Sequence, residues 1–231
     1  MVLRKMHFLI LATLVAPLFL NACANNETAG GAGGALSGGS SAAGGSSAAG
    51  GSSAKGGSSA AGGSSGCTSR LPGELTTALT LTKACGPYEA DGMYIKNGGV
   101  LTIEAGVTIR FTSDTILSVG EEGTGKLLVN GTTGDPVTFT SAFDTPGPGD
   151  WYGVVFNAGT VAGSKIAYTK IQYAGGNLDA AIVGNSGMGQ GVVTLDHVTI
   201  LDNNDADGIM ADDPASFVVT ACTVEGVPID L

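Results

Sequence analysis

The residues best suited to chemistry are the acids near the C-terminus. Residues 171–231 contain nine acidic side chains and no Lys or Arg. Within them, Asn203, Asp205 and Asp207 alternate and are followed by Gly at the sixth place, which is the spacing of oxygen ligands in a calcium loop. Asp212 could supply a further ligand, although the twelfth place holds a proline where a helix-loop-helix site has Glu. Two interpretations stay open: a weak extracellular Ca²⁺ site on these four residues, or a solvated acidic turn.

Candidate catalytic groups are few. Of the two histidines, His7 lies in the N-terminal apolar segment and His197 stands beside Asp196. The repeat pattern of the sequence places no Ser or Cys nucleophile near His197. We therefore expect a solvent-exposed imidazole and assign no catalytic residue. The acids of the Asp202–Asp213 cluster include paired carboxylates, which can in principle hydrolyse a glycoside. A reduced carbohydrate-active enzyme, of the polysaccharide lyase or glycoside hydrolase type, is therefore the alternative to a non-enzymatic protein.

The N-terminus has the features of an export signal. Arg4 and Lys5 precede an apolar run from Phe8 to Leu20, which is too short to span a membrane. The run ends in Leu20-Asn21-Ala22-Cys23, which resembles the lipobox of bacterial lipoproteins. The resemblance implies a signal peptide at residues 1–22, palmitate and other lipid on Cys23, and anchoring on the periplasmic or cell-surface side of the outer membrane. An ordinary signal peptide that contains a Cys is the alternative.

A low-complexity linker follows. Residues 28–66 contain almost only Gly, Ala and Ser, with a GGSSAA hexamer repeated over residues 38–61. Such a composition has little apolar surface to bury, so residues 23–66 are predicted to be a lipidated Cys and a flexible tether.

Composition limits the partners. The chain of 231 residues carries 10 Lys+Arg against 20 Asp+Glu, a net charge of −10. Because nucleic-acid binding depends on cations that neutralise phosphates, this balance argues against a nucleic-acid partner. The expected partners are a membrane, through the lipid, and a glycan or a surface protein. No cofactor other than Ca²⁺ is expected.

From Cys67 onward the chain is predicted to be all β. Short runs rich in β-branched residues alternate with Gly, Asn, Asp and Pro, and none has a helical period. Segments 166–173, 193–200 and 217–224 superpose, each as two strands that meet at a corner. Such in-line repetition predicts a parallel β-solenoid of about six coils. In this alignment Tyr168 and Tyr173 point inward, so no exposed aromatic platform for sugars is expected.

The sequence also resembles a family, the extracellular right-handed parallel β-helix proteins with pectate-lyase-like solenoids, many of which are bacterial lipoproteins. The resemblance is carried by segments 99–107, 136–141 and 149–153 and extends over residues 76–231. It implies a right-handed parallel β-helix at residues 93–231, after an N-terminal cap at residues 67–92. A further coil would be expected after Leu231, so the helix is expected to be shortened at its C-terminus or paired there.

The cysteines fit an oxidising compartment. Cys67 and Cys85 bracket the first segment of the folded part and are predicted to form a disulfide that staples the cap. Cys222 falls in a predicted inward row, where a buried apolar thiol is expected.

Three functions follow from these observations. The first is a non-enzymatic, envelope-anchored lipoprotein that displays a β-helix for binding or structural roles. The second is the reduced carbohydrate-active enzyme. The third is a binder of ice or another surface lattice through threonine rows such as Thr138-x-Thr140, although these pairs do not recur at a fixed offset.

Overall fold

The structure is a computed structural model that describes residues 24–25, 67–178, 180–204, 207–225 and 229–230. Cys23 and most of the linker lie outside this part of the chain. The described residues form eighteen strands and two short 3₁₀ helices, Lys83–Cys85 and Pro214–Ser216. None of their helices is long and apolar enough to cross a membrane.

The strands are named in chain order. They are β1 (Ala24–Asn25), β2 (Glu74–Leu75), β3 (Ala78–Leu81), β4 (Tyr88–Ala90), β5 (Met93–Ile95), β6 (Gly99–Ile103), β7 (Thr108–Phe111), β8 (Ile116–Val119), β9 (Gly125–Asn130), β10 (Val137–Ser141), β11 (Gly153–Phe156), β12 (Ser164–Gln172), β13 (Ala180–Gly184), β14 (Val193–Leu201), β15 (Asp207–Ala211), β16 (Phe217–Thr220), β17 (Thr223–Val224) and β18 (Ile229–Asp230).

All strand pairs are parallel and arrange the chain as a solenoid with three faces. The first face is made of β3, β6, β9, the first halves of β12 and β14, and β16. The second face is made of β4, β7, β10, the second halves of β12 and β14, β17 and β1. The third face is made of β2, β5, β8, β11, β13, β15 and β18. Six strands stack on the first face, so the described residues confirm the prediction of a parallel β-helix of about six coils.

Inward-facing apolar side chains form continuous rows through the core. On the second face one row runs through Tyr88, Ile109, Phe139, Ile171, Ile200 and Val224, and every member is buried. Outward positions of the same strands are mostly polar, with Thr, Arg, Lys, Glu and Gln. The alternation with a period of two residues places one set in the core and the other in solvent.

The observed register corrects the predicted alignment of β12 and β14. Ile166 pairs with Leu195, two residues away from the predicted partner Val193. This shift puts Tyr168 at the corner between the two halves of β12, and it puts Ile171 instead of Tyr173 in line with Ile200. The prediction that Tyr168 and Tyr173 point into the core is therefore wrong. Both lie at corners with positive φ, 45° and 63°, and are half-buried.

The N-terminal segment forms a coil of its own. Strands β2, β3 and β4 pair with β5, β6 and β7, so the first coil begins at Glu74, within the interval predicted as a cap, and not at residue 93. The predicted disulfide between Cys67 and Cys85 is present, with the two Cα atoms 5.3 Å apart. It ties the segment before the first coil to the 3₁₀ helix that follows β3.

Candidate functional site

Of the predicted calcium ligands, the structure describes Asn203, Asp207 and Asp212, and these three are spread over a turn, the start of a strand and the turn after that strand. Asn203 lies in the turn between the second and third faces, where its Oδ1 accepts a hydrogen bond of 3.2 Å from the Ala174 backbone N–H of the preceding coil. Asp207 begins β15 and pairs with Ala180. Asp205 lies outside the described residues. The structure therefore gives Asn203 a role in coil stacking and leaves the calcium site a prediction.

Asp212 is separated from the other predicted ligands by a whole strand. It follows β15, whose rise of roughly 3.3 Å per residue places its Cα about 16 Å from that of Asp207. It lies in register with Asn157 and Asn185, which directly follow the equivalent strands β11 and β13. These two side chains are joined by an amide hydrogen bond of 2.7 Å. Asp212 Oδ2 accepts from the Ser186 N–H at 2.8 Å. Asp212 is thus a turn residue that cannot bind the same ion as Asp207.

Among the residues that the structure describes, no three His, Cys, Asp or Glu side chains come close enough together to hold a metal ion. His197 is exposed at a corner, with its Nδ1 2.7 Å from Asp196 Oδ1. Cys222 is buried, with 2 % of its surface exposed.

The second face carries hydrogen-bonding side chains in one outward row. Strand pairing places four threonines and one lysine in line along the solenoid axis, each one coil from the next: Thr108, Thr138, Lys170, Thr199 and Thr223. Neighbouring strands lie about 4.8 Å apart, so the row repeats at that spacing. Loops of unequal length hide this row in the sequence. We call it the threonine row.

A second outward row and a cleft extend this surface toward the N-terminal end. Glu89, Arg110 and Thr140 are aligned next to the threonine row. A cleft of about 510 Å³ opens there, lined by Lys83, Gly86, Pro87, Gly106, Thr108, Arg110 and Thr140. Lys83 Nζ lies 2.5 Å from Asp135 Oδ1, and Arg110 Nη2 donates to the Ala142 carbonyl at 3.0 Å. The cleft thus has two cations, each held by a partner.

The third face is different because the outward positions of its later coils are apolar. Val155 and Val183, in line on β11 and β13, are only 5 % exposed and pack with Ala180 in a second apolar cluster outside the main core. Met210 and Leu178 lie against this cluster. Apolar side chains of the same face thus cover one another.

An ion cluster joins the first three coils on this face. Lys96 Nζ lies 2.9 Å from Glu74 Oε1 and 2.8 Å from Glu122 Oε2. The hydrogen bond to Glu122 and then that to Glu74 raise the pKa of Lys96 above its usual value. The hydrogen bond and charge of Lys96 hold the pKa of Glu122 below its usual value. The Glu122 carboxylate therefore stays ionised at neutral pH and does not supply the protonated acid that glycoside cleavage needs.

The corner between the first and second faces presents two stacked aromatic rings. Tyr168 and His197 occupy this corner in consecutive coils, with ring centroids 4.4 Å apart and planes inclined by 13°. Ala221 occupies the corner in the next coil, and all three have positive φ. Sequence reasoning missed this pair because the two-residue error in register placed Tyr168 in the core.

Comparison with protein families agrees with the geometry. Residues 73–161 match the model of the pectate-lyase-like beta helix domain. The match spans less than half of the chain and includes strands β2 to β11. The protein is therefore a parallel β-helix protein, similar over these coils to pectate-lyase-like domains. No curated protein and no solved structure matches the chain.

Proposed function

We propose that this protein is an envelope-anchored lipoprotein whose β-helix binds a linear glycan along its second face, without chemical change to the glycan. The observation that carries the proposal is the threonine row. It presents hydroxyl and ammonium groups at a regular spacing along the solenoid axis, and a linear polymer can meet several of them at once.

The side chains of this row suit glycan hydroxyls. A threonine hydroxyl both donates and accepts, and Lys170 donates, so the row can pair with sugar hydroxyls in either role. A β-branched side chain on a strand has few rotamers, which lowers the entropy cost of fixing it against a ligand. Arg110 and Thr140 add donors at the N-terminal end, beside the cleft.

The anchor is the second part of the proposal. Lipid on Cys23 would fix the N-terminus in the outer membrane, and the Gly/Ser/Ala tether would have a root-mean-square span of roughly 35 Å. Labelling cells with radioactive palmitate tests this part. The parent protein should incorporate label and the Cys23→Ser variant should not, whereas equal labelling of both would refute lipidation at Cys23.

Affinity electrophoresis tests the binding face. The full-length protein is run through native gels that contain a neutral β-1,4-glucan, a galactomannan or polygalacturonate. We expect at least one polymer to retard the parent. Thr138→Val with Thr199→Val should reduce the retardation, because valine keeps the shape of threonine and removes the hydroxyl.

A matched control lies on the first face. Thr102 and Thr194 are outward threonines in the same strand environment, and Thr102→Val with Thr194→Val should be retarded like the parent. If both double variants lose binding equally, the second face is not the binding surface.

The pectate-lyase-like match supports a polysaccharide-active enzyme as the second candidate. In that case, incubation with the same polymers yields new reducing ends or unsaturated products. Asp205→Ala should then abolish product. The absence of product from every polymer would remove this candidate.

A further inference from the structure

We infer that the Tyr168–His197 pair is the aromatic subsite of the proposed glycan-binding face, on which one pyranose ring stacks. The inference rests on the proposed function and adds the position and kind of one contact. Tyr168 and His197 lie at the corner that leads onto the second face. Lys170 and Thr199, two residues further along each coil, belong to the threonine row. The pair therefore borders the surface on which the polymer is proposed to lie.

The geometry leaves one aromatic face open. Tyr168 covers the side of the imidazole that faces the preceding coil. The next coil has only the methyl group of Ala221 at this corner, and 46 % of the His197 side chain is exposed. A sugar presents an apolar face of C–H groups, which is the surface that an aromatic ring packs against.

The imidazole is held in place for such a contact. Asp196 Oδ1 lies 2.7 Å from His197 Nδ1, and because a carboxylate only accepts, Nδ1 carries the proton of this hydrogen bond. The ring is thus fixed on one side by Asp196 and below by Tyr168. Nε2 remains on the opposite side of the ring, where it can pair with a sugar hydroxyl.

The residue types at this corner favour a role beyond the turn itself. Asn and Asp tolerate a positive φ, and Asn97, Asp114 and Asp202 are such residues with positive φ in this structure. Tyr168 adopts φ 45° without that advantage. Strained backbone of this kind tends to occur where a side chain has a function.

Substitutions at this corner leave the turn intact, because Ala221 shows that alanine fits it. In the affinity gels, we expect His197→Ala and Tyr168→Ala each to weaken retardation of the full-length protein about two- to tenfold. Tyr168→Phe keeps the ring and should be retarded like the parent. Phe143→Ala is the control, since Phe143 is an exposed aromatic residue on a loop after the second face.

A spectroscopic measurement separates contact from indirect effects. The chain has two histidines, His7 and His197, so the imidazole signals of the ¹⁵N-labelled protein are simple to assign. Titration with a soluble hexasaccharide of the polymer that retards the parent should shift the His197 Nε2 signal.

The outcomes distinguish the two proposals. If the alanine variants bind like the parent while Thr138→Val with Thr199→Val loses retardation, the aromatic subsite is refuted and the binding face stands. An unshifted His197 signal at saturating hexasaccharide also refutes the subsite. If no polymer retards the parent, both proposals fall.

Discussion

Trp151 should contribute more to the stability of the solenoid than other single residues in its loop. Its side chain is fully buried and stacks on Phe111, with ring centroids 4.1 Å apart and planes inclined by 5°. Its Nε1 donates to the Gln172 carbonyl at 2.8 Å. Phe111 belongs to β7 and Gln172 to β12, so one indole ring joins the coils before and after its own. Replacing it removes contacts across three coils.

The expected loss of stability on replacing Trp151 follows from its burial and from its hydrogen bond. A buried Trp removes up to about 250 Å² from water, which is worth roughly 6 kcal/mol at about 25 cal/mol/Å². The β-carbon of the Ala that replaces it keeps part of this burial. Large-to-small substitutions of buried aromatic residues usually cost about 3–5 kcal/mol. We therefore expect Trp151→Ala to lower the free energy of unfolding by about 4 kcal/mol. Trp151→Phe keeps a stacking ring but leaves the Gln172 carbonyl unpaired, and should cost about 1–3 kcal/mol.

Urea unfolding followed by far-ultraviolet circular dichroism measures these losses, since the method does not depend on the tryptophan that is removed. Phe143→Ala is the matched control in the same loop. Its side chain is exposed, so the change should stay within about 0.5 kcal/mol. A loss for Trp151→Ala no larger than that of Phe143→Ala would refute the reasoning, because the indole would then not lie between the coils.

Three further predictions concern the disulfide, the ion cluster and calcium. Cys67→Ser with Cys85→Ser should lower stability by about 3 kcal/mol in thermal melts, and reductant should bring the parent to the same value. Lys96→Met should lower the melting temperature at neutral pH. The difference in melting temperature between the variant and the parent should shrink in acid, which protonates Glu122, whose pKa is lowered from 4.5. It should also shrink in base, which deprotonates Lys96, whose pKa is raised from 10.5. A difference that is independent of pH would contradict this prediction. Millimolar Ca²⁺ at 100 times its dissociation constant should add about 2.7 kcal/mol relative to EDTA if Asn203, Asp205 and Asp207 bind it. The shift should vanish in Asp207→Ala and persist in Asp212→Ala, and no shift in the parent would leave a solvated turn.

The fold could be predicted because its signals are local or repeated. Short β-branched runs predicted strands, in-line repetition predicted the solenoid, and the spacing of Cys67 and Cys85 predicted their disulfide. The partner of each strand could not be fixed in the same way. Ile166 and Tyr168 are both apolar and two residues apart, so either can begin an inward row, and only packing of the coil selects Ile166.

The site was harder to predict because distance along this chain is a poor guide to distance in space. Asp207 and Asp212 are close in sequence, yet the extended strand between them keeps them about 16 Å apart. Thr138 and Lys170 are a full coil apart in sequence and lie on neighbouring strands, about 4.8 Å from one another. A ligand set that is compact in sequence is therefore stretched along a strand, whereas a binding row draws one residue from each coil. Because the loops differ in length, such a row leaves no fixed interval in the sequence. In a solenoid of this kind, residues that act together must be sought across coils at equivalent strand positions, which is where the threonine row and the Tyr168–His197 pair are found.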